Sequence, residues 1–229
     1  ATGSRLNQGN PVSGDGFRSM LGYSCIFLGE HQDRFTGAAD GVMKFAVAAP
    51  FDSTDFPWGG KVTIYRYDAA TDLVEELVEI PGLGPGEAFG AGLGTLDHDG
   101  DGYMELAIGA VGANSLAGEV HLFKGTWDIS IPTEPEFVVE TLHILGGEDS
   151  GNLFGYSIRS AGDVFGNDGR HELLVGAPYA DLTPLGTSPL EGAIALFKNN
   201  NSNYTRVLSL TSGVPGSLFG WDMDGGYDL

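Results

Sequence analysis

The residues best suited to chemistry in this chain form one short run, Asp97-His98-Asp99-Gly100-Asp101-Gly102-Tyr103-Met104-Glu105. Carboxylates stand at its first, third, fifth and ninth positions, and a glycine at the sixth permits a tight bend. With the Tyr103 carbonyl at the seventh position, alternate residues offer oxygen to one point. That is what a hard cation with about six to eight oxygen ligands requires. Four carboxylates in so short a run repel one another unless a positive charge sits among them. The predicted ion is Ca2+ (calcium). Magnesium demands stricter octahedral geometry and keeps its waters. Zinc favours nitrogen and sulfur ligands, whereas His98 falls at an outward, non-ligand position and no cysteine is near. An EF-hand is excluded, because its twelfth position needs a glutamate and is Ile108 here, with an apolar strand rather than a helix after the loop.

A second run, Asp163-Val164-Phe165-Gly166-Asn167-Asp168-Gly169-Arg170-His171-Glu172, keeps the late spacing but inserts one residue after Asp163. Asp163, Asn167, Asp168 and Glu172, with the Arg170 carbonyl, form a candidate cation set; an acidic turn without an ion is the open alternative. Asp222, Asp224 and Asp228 begin a further alternation near the end of the sequence. In Asp40-Gly41-Val42-Met43-Lys44, Lys44 stands where the last carboxylate belongs, so no cation is expected. Lys44 either pairs with Asp40 or is solvated.

These loops recur because the chain repeats itself. Each unit opens on a Phe-Gly pair (Leu-Gly in the more worn first copy), passes through the Asp/Gly-rich turn, enters an apolar strand ending in Gly-Ala or Ala-Ala, and continues through a loop into a Gly-x-Val-like strand. The opening pairs are Leu21-Gly22, Phe89-Gly90, Phe154-Gly155 and Phe219-Gly220, with their glycines 68, 65 and 65 residues apart. Such a period suits four strands with their loops. Candidate strands in the third unit are Gly155–Ile158, Leu173–Ala177, Gly192–Phe197 and Tyr204–Leu210; they are rich in β-branched and aromatic residues and bounded by Gly, Pro, Asn and Asp. No segment has a helical period. Repeated four-stranded antiparallel units predict an all-β fold: a β-propeller of about three blades plus a partial fourth, an incomplete ring. The units are residues 17–80 (degenerate), 81–146 and 147–212, with 213–229 starting a fourth and 1–16 preceding the first, as the possible end of an earlier blade. The second strand of each unit, apolar on both faces, is expected near the crowded axis between blades.

Composition narrows the function classes. Lys and Arg number 11 against 31 Asp and Glu, a net charge of −20, so nucleic acid and anionic lipid should be repelled. No apolar run is long enough to insert in a membrane, which needs about 18–20 residues. Glycine accounts for 37 of 229 residues, more than twice the usual share of about 7%, without collagen's three-residue period. Cys25 stands alone in an apolar run and reads as a buried small hydrophobe.

The Phe-Gly opening, the Asp-x-Asp-x-Asp-Gly-x-x-Glu loop and the Gly-Ala-Pro ending of Leu173–Pro178 together resemble FG-GAP repeats, as in the head of integrin α subunits. The resemblance covers roughly residues 17–229. It implies a β-propeller with calcium loops, extracellular or at the cell surface, in adhesion and recognition. Related repeats also occur in phospholipase-type enzymes and in surface proteins. Family propellers usually close with seven blades, so the rest of the ring is expected from further chain or from other subunits.

The expected function is therefore a non-catalytic calcium-binding interaction module whose partner is an extracellular protein or glycan. Phe51, Phe56, Trp58 and Tyr179, on the loops after the second strands, are partner-binding candidates. Packing between blades is their alternative role. A structural subunit of an extracellular fibre or coat is a second reading. A hydrolase using the propeller as scaffold is a third, with no Gly-x-Ser-x-Gly elbow behind it. Sequons at Asn200 and Asn203 are glycosylation candidates and agree with an exported protein.

Overall fold

The computed structural model describes residues 19–32, 39–128, 136–181, 190–201 and 203–224. The segment 1–16, Ser202 of the first sequon and Asp228 lie outside the described residues.

Among the described residues, twelve strands form three separate four-stranded antiparallel sheets, each built from consecutive strands. The first holds β1 (Cys25–Gln32), β2 (Ala39–Ala49), β3 (Lys61–Asp68) and β4 (Leu73–Pro81). The second holds β5 (Phe89–Leu96), β6 (Glu105–Ala110), β7 (Glu119–Asp128) and β8 (Glu136–Gly146). The third holds β9 (Ser157–Gly162), β10 (Glu172–Ala177), β11 (Ala193–Asn199) and β12 (Tyr204–Thr211). These are three blades of an open propeller. Between β6 and β7 the chain makes a left-handed turn, with φ of 50°, 60° and 68° at Asn114, Ser115 and Leu116. No helix among the described residues is long and apolar enough to cross a membrane.

The core lies between blades rather than inside one. Ala46, Ala48, Val62 and Ile64 of the first blade pack with Phe89, Leu93, Leu106 and Ile108 of the second. Leu96, Val120 and Leu122 of the second pack with Phe154, Ile158, Leu173 and Val175 of the third. A twisted sheet with two apolar faces gains stability only when both are covered, and each such side chain contributes roughly 1.5–3 kcal/mol on burial. The opening Phe fastens its unit to the blade before: Phe89 bridges Gly60 and Phe219 bridges Gly192, both in parallel, and the Phe154 N–H donates to the Ala117 carbonyl at 3.0 Å. Its glycine neighbour turns the chain into the next strand with φ of 85° at Gly22, 97° at Gly90, 91° at Gly155 and 87° at Gly220. Left-handed backbone of that kind excludes most side chains. Gly109 serves a different need: a Cβ there would overlap the Gly155 carbonyl of the next blade.

The structure corrects two expectations. The strand nearest the axis is the first of each unit, not the second. Residues of β1, β5 and β9, or just before them, surround one cleft of about 920 Å3 lined by Tyr23, Cys25, Leu93, Tyr156 and Arg159. The second strands lie one place further out and are buried because blades cover both faces. Cys25 is exposed, not buried. Along β1 the residues alternate: Ile26 and Leu28 pack on the core between blades, while Cys25 and Phe27 face the opposite side and stay exposed.

Candidate cation loops

Each acidic loop joins the first strand of a blade to its second, so the pairing of those strands fixes both loop ends. Leu96 pairs with Glu105 in the second blade, and Gly162 pairs with Glu172 in the third. The residue before the first Asp thus always stands opposite the last Glu.

In the second blade, Asp97 organises the turn. Its Oδ1 accepts hydrogen bonds from the N–H groups of Gly100 (2.7 Å) and Asp101 (3.2 Å), and its Oδ2 from that of Gly102 (2.8 Å). Asp99 accepts from Asp101 N–H at 3.2 Å, and Asp101 from Tyr103 N–H at 2.9 Å. Glu105 closes the loop by accepting from His98 N–H at 2.7 Å. One oxygen each from Asp97, Asp99 and Glu105 lies within 4.8 Å of the others, the spread of ligands around a single ion. Asp101 stands beside this group, and the Tyr103 ring is exposed. Asp97 and Glu105 are buried. Burial, with the charges of Asp99 and Asp101 beside it, pushes the Glu105 carboxyl up to about 7.

Lys124, from β7, enters the same cluster. Its ammonium bonds Asp99 Oδ2 and lies 3.3 Å from Asp101 Oδ2 and 3.9 Å from Glu105 Oε1. Burial opposes its charge, but the hydrogen bond to Asp99 and the carboxylates around it hold its pKa above the usual lysine value. Burial likewise opposes ionisation of Asp99, and the bond to Lys124 overcomes it and lowers the pKa.

The third blade keeps the same frame despite its inserted residue. Asp163 Oδ2 accepts from Gly169 N–H at 2.7 Å, as Asp97 does from Gly102. Glu172 Oε2 accepts from Val164 N–H at 2.7 Å and Phe165 N–H at 3.1 Å, as Glu105 does from His98. The other oxygens, Asp163 Oδ1 and Glu172 Oε1, are buried with no hydrogen-bond partner. Asp168 is exposed and pairs with the Arg170 guanidinium at 3.0 Å. Asn167 takes the left-handed turn position, with φ of 52°. Among the described residues these acids do not gather three oxygens as tightly as Asp97, Asp99 and Glu105 do. Asp222 is exposed, 3.5 Å from Arg159, and Asp224 lines the axial cleft.

His98 is buried, which corrects the expectation that it faces outward. The direction away from the ligands leads into the next blade, not into solvent. There His98 Nδ1 hydrogen-bonds the Tyr204 hydroxyl at 2.8 Å, and the Asn199 amide donates to the His98 carbonyl at 2.7 Å. The His171 N–H donates to the Asp97 carbonyl at 2.8 Å. Burial, with His143 close by, lowers the His98 pKa and so disfavours the charged ring. The loop of one blade is therefore docked on its neighbour.

The opposite end of the blades carries aromatic residues. Phe51, Phe56 and Trp58 are exposed, Trp58 by 69%, so Trp58 is not packed between blades. Phe51 meets the Tyr23 ring edge-on at 6.4 Å, and Tyr179 lies 6.5 Å from Trp221. Sequence reasoning missed Tyr23, Tyr156 and Trp221, which follow the opening glycine of three units. Trp221 is 4.4 Å from Tyr156, whose hydroxyl is 3.2 Å from that of Tyr23. Aligning the units on Gly22, Gly155 and Gly220 would have found them. Asn200 and Asn203 are exposed at the β11–β12 turn, and the Asn200 amide bonds Thr205 Oγ1 at 2.9 Å.

No protein-family profile matches the chain. Among its relatives, integrin alpha-PS2 of Drosophila melanogaster is 30% identical over 92% of the chain and 14% of the relative. Integrin alpha-7 of Mus musculus is 30% identical over 74% of the chain and 13% of the relative. Phosphatidylinositol-glycan-specific phospholipase D of Rattus norvegicus is 29% identical over 52% of the chain and 13% of the relative. The chain thus spans about one seventh of the length of these relatives.

Proposed function

The chain belongs to the integrin α-like family of FG-GAP β-propellers, and from that premise we propose that it is a calcium-binding, non-catalytic interaction module of the cell surface or extracellular space. Asp97, Asp99, Asp101 and Glu105, with the Tyr103 carbonyl, hold one Ca2+. Asp163 and Glu172 anchor a second, with Asn167, Asp168 and the Arg170 carbonyl completing the set. The observation that carries this reading is the convergence of Asp97, Asp99 and Glu105 oxygens within 4.8 Å. The lone buried oxygens of Asp163 and Glu172 support the second site, since a buried charged oxygen without a partner is costly. The acidic loops tie neighbouring blades together, so the ion stiffens the blade contact rather than reacting with anything.

The partner, an extracellular protein or glycan, is met by the aromatic end of the blades, where Phe51, Phe56 and Trp58 are exposed on loops held by a rigid scaffold. Further blades, from additional chain or from other subunits, cover the outer faces of the first and third sheets. Exposed Phe27, Val207, Leu208 and Leu210 mark the surfaces they would bury. Asn200 and Asn203 carry glycans at an exposed turn.

Thermal melting in calcium and in chelator, for the wild type and Asp99→Ala, tests the calcium reading. An ion at about 100 times its Kd adds about 2.7 kcal/mol of stability. The wild type is expected to melt higher in calcium, with that gain reduced in Asp99→Ala. Equal melting in calcium and chelator for both proteins refutes it.

A further inference from the structure

The repeat places a basic residue at one position of every blade, directly after the last apolar residue of the Gly-x-Val-like strand: Arg66, Lys124 and Lys198. The three do different things. Arg66 pairs across strands with Glu75 at 2.5 Å, where the local loop lacks the acidic set. Lys198 lies 5.9 Å from the centre of the Phe165 ring, and the two inner oxygens of its loop are left without partners. Lys124 alone reaches into its loop. It bonds Asp99 and approaches Asp101 and Glu105, three of the four carboxylates that would face an ion.

We propose that Lys124 is a tethered internal cation that neutralises the second-blade loop in the absence of metal and must withdraw for a divalent ion to bind. The inference rests on the reading of Asp97–Glu105 as a cation loop. An ammonium and a divalent ion cannot share the same carboxylate oxygens at contact distance, because like charges so close repel strongly. The lysine side chain is long and flexible and is partly exposed, so it can swing to solvent while its strand stays in place. The loop then has two closed states, one held by Lys124 and one by the metal. Binding at this loop is an exchange of cations, whereas at the third-blade loop no ammonium has to be displaced from the inner oxygens of Asp163 and Glu172. The affinity of the second loop is set by Lys124 as much as by its ligands.

The test uses the full chain with Asp163→Asn in the background, so that only the second loop is read. Calcium is titrated by isothermal calorimetry into the Lys124, Lys124→Met and Lys124→Arg forms, and each form is melted in chelator. Expected are about tenfold tighter calcium binding in Lys124→Met, equivalent to about 1.4 kcal/mol, and near wild-type affinity in Lys124→Arg. Lys124→Met should also melt lower in chelator, because it has lost the internal cation. Unchanged or weaker calcium binding by a folded Lys124→Met overturns the proposal and leaves the calcium reading intact. Absence of calcium binding in all three forms overturns both. Binding by Lys124→Met alone supports the exchange in its extreme form.

Discussion

The acidic loops of the second and third blades are built on one frame and balanced in opposite ways. In both, the first Asp accepts from the N–H of a glycine late in the turn, and the last Glu accepts from the residue after that Asp. In the second loop the acids converge and Lys124 answers their charge. In the third loop the lysine rests beside an aromatic ring, Arg170 pairs with the exposed Asp168, and two buried carboxyl oxygens have no hydrogen-bond partner. A backbone frame can therefore persist while the electrostatic solution within it changes. The sequence match to the ideal loop spacing is better in the second blade, but the unmet demand for a cation is greater in the third.

The largest expected effect separates the two closing glutamates. In calcium, Glu105→Ala and Glu172→Ala should each destabilise by roughly 3–4 kcal/mol, through orphaned N–H groups and a lost ion. In chelator the cost should shrink more for Glu172→Ala, because its removal also deletes a buried oxygen that has no partner. Denaturant midpoints in the two conditions check this. Equal costs in chelator would break the contrast.

Next comes pH. Glu105 titrates near 7 in the folded chain, above the ordinary 4.5 of a glutamate. The folded state thus binds more protons than the unfolded one between those values, so this group's contribution to stability is present below 4.5 and is lost as pH rises through 7. In chelator, stability should fall across that window by roughly 2–3 kcal/mol on account of Glu105, and Glu105→Gln should flatten the fall. Denaturant melts from pH 4.5 to 8 measure it. An equal slope in the variant would contradict the assignment to Glu105.

Much of this molecule is legible in its sequence. The spacing of Gly22, Gly90, Gly155 and Gly220 gives the blade, and the residues between them give its strands in the right order. The Asp97–Glu105 spacing gives the loop. What stays hidden depends on contacts between distant residues. Whether the first or second strand faces the axis depends on how blades lean together, and small apolar residues suit either place. His98 looks outward because the residues that bury it, Asn199 and Tyr204, lie about a hundred positions away. Lys124 belongs to the loop through sheet geometry rather than spacing. The residue inserted after Asp163 looks disruptive, yet the loop absorbs it because Gly162–Glu172 pairing holds both ends.

Two smaller effects sharpen the comparison. Tyr204→Phe removes the hydroxyl that binds His98 and should cost about 1 kcal/mol, read by thermal melting. A value near zero would mean the second loop is not anchored on the third blade through that bond. Asp168→Ala breaks an exposed ion pair and should change stability in chelator by no more than about 0.5 kcal/mol. A larger loss there would make Asp168 a structural anchor rather than a free ligand.

The most direct measurement is the calcium stoichiometry of the full chain by isothermal calorimetry, for the wild type, Glu105→Gln and Asp163→Asn. One ion per loop is expected in the wild type, with each variant losing the ion of its own blade and keeping the other. A wild type that binds no calcium, or variants that bind as many ions as the wild type, would contradict the assignment of cation sites to these two loops.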